Sequence, residues 1–229
     1  MTKLQGCWLE DLTWPEVAER FALDMPVLVP VGAAAKAHGP HLPLRTDAMV
    51  ARALAQRVVD RLPLICAPVL GVGHYPAFTA FAGSQSLSKS TFQAVMTELL
   101  AGLRAQGARR LVILNTGVST EGPLEAVAAG SSDVLLLHMR ALGRSADRLF
   151  DVVEGGHADE RETSVVLALD PRSVRMDRVD AAGPFERTGA TGDPRTASAF
   201  KGERLLAQQA DDAVAAIARR WPGLGPASS

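Results

Sequence analysis

Four short runs of branched aliphatic residues, each apolar on both faces, constrain the fold of this chain more than any other feature. Pro26–Gly32 (PVLVPVG), Leu62–Val69, Arg110–Asn115 (RLVILN) and Asp133–Met139 (DVLLLHM) show little alternation of polar and apolar positions. A strand that presents neither face to water must be covered by helices on both sides, which is the condition of a parallel sheet built from β–α units. The intervening segments supply those helices. Thr46–Leu62 places Val50, Leu54, Val58 and Leu62 on one stripe. Ser90–Ala105 follows a Ser/Lys/Ser cap region and stops at Gly107. Pro123–Gly130 and Glu160–Leu169 are shorter, and Gly202–Trp221 ends before Pro222. The pattern predicts a single-domain three-layer α/β/α sandwich with a mostly parallel sheet across residues 1–229, with residues 222–229 as a frayed tail.

With 229 residues, 47% of them hydrophobic and 21% charged, the chain can bury a substantial core and has no disordered bias. A net charge of −1 and the lack of a basic tract argue against a nucleic-acid partner. The longest apolar stretch, Pro26 to Ala35, is too short to cross a bilayer, and the N-terminal residues lack a signal-peptide core, so a cytoplasmic protein without a membrane partner is expected. Cys7 and Cys66 have no CxxC spacing, which leaves them as small hydrophobes. Trp8, Trp14 and Trp221 read as packing residues.

Long connections at Gly71–Ser88, Gly143–Ala158 and Asp180–Phe200 are candidates for functional loops. Two clusters of histidine and carboxylate follow apparent strand ends, where open α/β sheets bind ligands. In the first, His38, His41 and Asp47 fall within one short span after Gly32. Imidazole and carboxylate suit zinc, manganese or iron; equally, Thr46 or Asp47 can cap a helix and His38 can be a loop residue. In the second, Glu154 to Ser164, His157 and Glu162 are about one and a half helical turns apart. They converge only if the helix starts between them. An acidic first turn favoured by the helix dipole accounts for Asp159 and Glu160 without any ligand.

The segment Pro30-Val-Gly32 … His38-Gly-Pro-His-Leu-Pro-Leu … Thr46-Asp47 resembles the creatininase-family signature PVGSxEQHGPHLPLxTD. Further segments match in order: Phe81-Ala-Gly-Ser84 resembles FPGT, and Asn115-Thr-Gly117-Val-Ser-Thr-Glu-Gly-Pro stands where the family has NGHGGNxGP. His157-Ala-Asp-Glu-Arg-Glu162-Thr-Ser resembles HAGxxETS, and Gly192-Asp-Pro194 with Ala197 and Lys201-Gly202 resembles GDPxxAxxxKG. The likeness spans roughly Trp14 to Trp221 and is nearest the mycofactocin-maturation peptidase branch. It implies an α/β/α fold, a homo-oligomer and an amidohydrolase with a two-metal centre. By resemblance His38 and Asp47 are metal ligands, Glu162 is the candidate for a third, and His157 is a proton-shuttling catalytic residue. His41, in the same motif, is a further catalytic candidate. Tyr75, Phe81, Ser84, Gly117, Ser119 and Glu121 are candidates for substrate binding.

Two departures fall together. Lys36 stands where the family has a ligand glutamate, and Gly117 where it has a ligand histidine. In the resemblance both serve the same ion, so their loss deletes one metal and leaves the other's set. An ammonium on Lys36 can replace the missing cation beside the surviving carboxylates, which like-charge repulsion would otherwise push toward protonation; a solvated loop lysine is the alternative. The expectation is a C–N hydrolase acting on an amide or cyclic amide of a small molecule or peptide-derived substrate with at most one divalent ion, zinc or manganese. The alternative is a metal-free relative, either a non-hydrolytic biosynthetic enzyme (cyclisation or elimination) or a non-catalytic binding subunit.

Overall fold

The computed structural model describes residues 4–151, 156–179 and 183–224. Five strands form one sheet: β1 (Cys7–Trp8), β2 (Val27–Val31), β3 (Ile65–Cys66), β4 (Leu111–Asn115) and β5 (Val134–His138), in the order β1-β3-β2-β4-β5. All neighbours are parallel. The helices are α1 (Trp14–Ala22), α2 (Thr46–Val59), α3 (Lys89–Ala105), α4 (Glu121–Ala128), α5 (Glu160–Leu169), α6 (Phe185–Thr188) and α7 (Ala199–Arg220).

Strand side chains alternate between two cores. Leu28, Cys66, Val112 and Leu114 pack with Leu54 and Val58 of α2 and with Val214 and Ile217 of α7. Val27, Val29, Ile65, Leu111 and Ile113 pack with Phe21 of α1, Phe92, Met96 and Leu100 of α3, and Leu124 of α4. The three-layer α/β/α arrangement expected from the two-faced apolar runs is therefore present. In register, Val31 pairs with Asn115 and Asn115 with His138, so three strands end on one line. The loops that carry the chemistry start from that line.

Several elements differ from the sequence expectation. Leu62–Val69 contributes only Ile65–Cys66 as strand, since Leu62 still donates to Val58 at the end of α2 and Pro68 has no N–H for a ladder. Strand β1 escaped notice because two residues carry no period. Helix α1 did too, although Glu16 accepts from the Thr13 N–H in the manner of a capping box. Helix α7 begins at Ala199 rather than Gly202, capped by Ser198, which accepts from the Lys201 N–H. The tail from 222 was expected to fray, but Leu224 is buried in the first core. Residues 225–229, and Glu154 in the second cluster, lie outside the described residues.

Candidate active site

After β2 the chain passes Gly32, where a Cβ would lie 2.4 Å from the Asp47 carbonyl oxygen. Only glycine lets the first turn of α2 sit on the strand end there. Thr116, just beyond β4, ties this junction by donating to the carbonyls of Val31 (3.1 Å) and Asp47 (3.2 Å). The loop closes on itself where the Lys36 N–H donates to the Leu44 carbonyl. As a result Lys36, His38 and Asp47 are all buried.

Lys36 Nζ lies 2.7 Å from Asp47 Oδ2, and His38 Nε2 lies 2.9 Å from Asp47 Oδ1. His38 Nδ1 faces the Lys36 carbonyl at 2.8 Å. Both partners of the His38 ring are acceptors, so Nδ1 carries a proton, and Nε2 carries either a proton or an ion. Burial pushes the Asp47 carboxyl up, but Lys36 and then His38 more than offset it and hold Asp47 well below the usual carboxylate range. The ammonium also lies 5.0 Å from the centre of the Phe78 ring.

The second cluster approaches from the far side. Asp159 caps α5 by accepting from the N–H groups of Arg161 (2.9 Å) and Glu162 (3.1 Å). The helix thus starts between His157 and Glu162, the one condition under which they can meet. Ala158 takes a left-handed φ of +53° and its N–H donates to Glu162 Oε2 at 2.6 Å. His157 is pinned by its N–H to Thr191, and its Nε2 donates to the Ala37 carbonyl at 2.8 Å. That fixes the tautomer and leaves the Nδ1 lone pair 3.5 Å from Glu162 Oε2. The sequence suggests that His157 titrates near neutrality. Instead burial, His38 and Lys36 lower it to about 3, so the ring is neutral.

The His38 and His157 rings lie 4.7 Å apart. Among the described residues, His38, His157 and Glu162 each offer a ligand atom within 4.8 Å of the others'. Asp47, also expected in the ligand set, contacts Lys36 and His38. His41 is turned toward α5, 2.8 Å from Thr163 Oγ1, with Nδ1 buried and unpartnered; burial, His38 and His157 lower it to about 4.

The substrate candidates divide into three groups. Tyr75, Gly117 and Ser119 border a small cavity of about 10 Å³ beside Lys36 and Asp47, on the scale of one water. Ser84 accepts from the Ala37 N–H at 2.9 Å and so supports the His38 loop, while Phe81 packs edge-on against Phe185. Glu121 pairs with Arg140 at 2.6 Å on the wall of a larger cavity. The sequence reading missed Asn115 as a site residue. Its side-chain amide donates to Gly117 O and His138 Nδ1, and its carbonyl accepts from Thr120. Its position as the last residue of β4 was the available signal.

An α/β/α sandwich whose strand ends gather imidazoles, carboxylates and a buried lysine defines a class of open-sheet proteins with a catalytic or metal-binding centre. The family model described as creatinine amidohydrolase (creatininase) matches residues 10–217, and the chain belongs to that family. A mycofactocin precursor peptide peptidase from Mycobacterium ulcerans is 33% identical, over 92% of this chain and 88% of its own. A creatinine amidohydrolase from Pseudomonas putida is 28% identical, over 95% and 98%. A solved creatininase described with manganese superposes with a TM-score of 0.85 at 25% identity, covering 95% of this chain and all of that one.

Proposed function

We propose that the chain is a hydrolase that cleaves a C–N bond, an amide or cyclic amide, in a small molecule or peptide-derived substrate. It works with at most one divalent ion, and Lys36 stands in place of a second. The contact between Lys36 Nζ and Asp47 Oδ2 at 2.7 Å, with both groups buried, carries this reading. A buried carboxylate that lost its cation would cost several kcal/mol, and an ammonium at hydrogen-bond distance offsets that cost. Relatives with solved structures include a creatininase with manganese and a mutant described as the Zn–Zn type.

The donor set fits one ion. His157 Nδ1 and Glu162 Oε2 are both acceptors, facing each other at 3.5 Å, an arrangement that calls for a cation between or beside them. His38, His157 and Glu162 would hold it, and two imidazoles with a carboxylate suit zinc or manganese. When bound, such an ion supplies Lewis acidity and a water of lowered pKa. The protein's own groups do the rest. The Lys36 ammonium, beside the small cavity, provides fixed positive charge for an oxygen that becomes negative as the amide carbon is attacked. Tyr75 and Phe78 exclude bulk water from the ammonium. His41, through Thr163, holds α5 and with it Glu162 in place.

Metal analysis of chelator-treated protein titrated with zinc or manganese tests the stoichiometry. One equivalent is expected in the native chain, abolished by His157→Ala or Glu162→Gln. Two equivalents in the native chain would overturn the reading. A Cβ at Gly117 would stand 3.9 Å from Asp47 Oδ2, so a side chain there points at the proposed substitution. The pair Lys36→Glu with Gly117→His should therefore gain a second equivalent. Mass spectrometry of an amide and peptide library should show hydrolysis, with products whose summed mass exceeds that of the substrate by one water.

A second reading draws on His38, whose two nitrogens are both satisfied by oxygen acceptors when the ring is protonated. Zero metal equivalents, with no hydrolysis product of any substrate, would select a metal-free relative: a non-hydrolytic enzyme or a binding subunit.

A further inference from the structure

The long connection between β3 and α3 carries a serine whose hydroxyl no step above uses. A turn over Phe81–Ser84 closes with the Ser84 N–H donating to the Phe81 carbonyl at 3.1 Å, and Gly83 takes a left-handed φ of +85° there. From that turn two successive residues reach the loop that bears Lys36 and His38. The Gln85 N–H donates to the Ala35 carbonyl at 2.9 Å, and Ser84 Oγ accepts from the Ala37 N–H at 2.9 Å.

The Ala37 N–H belongs to the same peptide unit as the Lys36 carbonyl, and that carbonyl accepts from His38 Nδ1 at 2.8 Å. One rigid plane therefore has Ser84 on its N–H side and the His38 ring on its C=O side. The next peptide presents the Ala37 carbonyl to His157 Nε2 at 2.8 Å. Ala37 is buried, so removing the serine hydroxyl would leave that N–H without its acceptor. Turning the plane over to find another would carry the Lys36 carbonyl away from the ring. By accepting from the N–H, Ser84 also polarises the carbonyl at the other end of the plane and strengthens its bond to His38. Across the ring, His38 Nε2 meets Asp47 Oδ1 at 2.9 Å, so its aim depends on the same plane.

We propose that Ser84 is a positioning residue for His38. It holds the Lys36–Ala37 peptide in the orientation that gives His38 Nδ1–H its acceptor. It thereby points Nε2 at Asp47 and at the ion that His38, His157 and Glu162 would share. Outer partners that orient a ligand histidine govern metal affinity by about ten- to a hundredfold. The part of the proposal that concerns the ion rests on the one-metal reading; the part that concerns the ring does not.

Magnetic resonance of chelator-treated protein carrying isotope-labelled histidine tests the ring first: His38 Nδ1–H should give a slowly exchanging imidazole signal. Ser84→Ala should speed its exchange with solvent several-fold to about tenfold, as expected when one hydrogen bond of the chain is lost. The same variant should weaken zinc binding by about tenfold or more, read by competition with a chromophoric chelator. Ser84→Thr, which keeps the hydroxyl, should restore both. Ser86→Ala is the control. Ser86 Oγ accepts from the Tyr75 N–H at 2.9 Å and donates to the Leu87 carbonyl at 3.1 Å, bonds that stay within the connection, so its loss should move neither readout. Unchanged exchange in Ser84→Ala, an equal change in Ser86→Ala, faster exchange with full zinc affinity, or a threonine variant no better than alanine would each overturn the proposal. If the native chain takes up no zinc, the one-metal reading fails and the imidazole exchange alone decides the role of Ser84.

Discussion

At the scale of single residues, the site is organised by one buried ion pair with imidazole neighbours. Lys36 and Asp47 gain their worth from each other, because neither has water to fall back on. Lys36→Met should cost about 3–5 kcal/mol of stability, measured by urea unfolding, since it strands a buried carboxylate. Adding Asp47→Asn should recover a good part of that loss, as the remaining group is neutral. If the double variant is no more stable than Lys36→Met, the pair does not act as a unit. This pairing was partly legible in the sequence. Lys36 and Gly117 departed together from a pattern whose other residues were kept, and that coincidence pointed to an exchange of charge. What the sequence did not convey was that His157 would be neutral. Its titration depends on burial and on two positive neighbours, one of them 121 positions away in Lys36, brought near only by the fold.

At the scale of elements, legibility followed the length and period of each segment. Strands β2, β4 and β5 and helices α2, α3 and α5 were readable because apolar runs or stripes extend over a full element. Strands β1 and β3, two residues each, exist only because a neighbour supplies the ladder, and no local pattern records that. The meeting of His157 with Glu162 depended on where α5 starts, which a single cap, Asp159, decides. Helix α5 is in turn positioned by α7. A Cβ on Gly202 would lie 1.9 Å from the Ser164 carbonyl oxygen, so the two helices touch at backbone level. Gly202→Ala should push them apart, at a cost on the order of 1–3 kcal/mol or more for overpacking. Because Glu162 rides on α5, the variant should also lose affinity for zinc by about tenfold or more. A lowered Tm with unchanged metal affinity would show that α7 stabilises the fold without positioning the site.

For the whole molecule, burying this many titratable groups at one sheet edge makes stability depend on pH, and the sign follows from the direction of each shift. Asp47 is depressed, so its contribution is present above the ordinary carboxylate value near 3.9 and is lost only in strong acid. His41 and His157 are depressed as well, to about 4 and about 3, but they are bases. Between those values and the ordinary histidine value near 6.5, the unfolded chain binds protons that the native chain refuses. Stability therefore rises with pH across that window and begins to fall on acidification from the ordinary histidine value downward. For His41, which is 1% exposed, the fall from pH 6.5 to pH 4 amounts to at most about 3 kcal/mol. Urea unfolding in chelator at pH 7.5, 5.5 and 4.5 should show a progressive loss. His41→Gln, which can still pair with Thr163, should flatten the slope while lowering stability at pH 7.5 only modestly. A native slope that the substitution leaves intact would mean that His41 takes up its proton in the folded state as readily as in the unfolded one, against the burial that surrounds it.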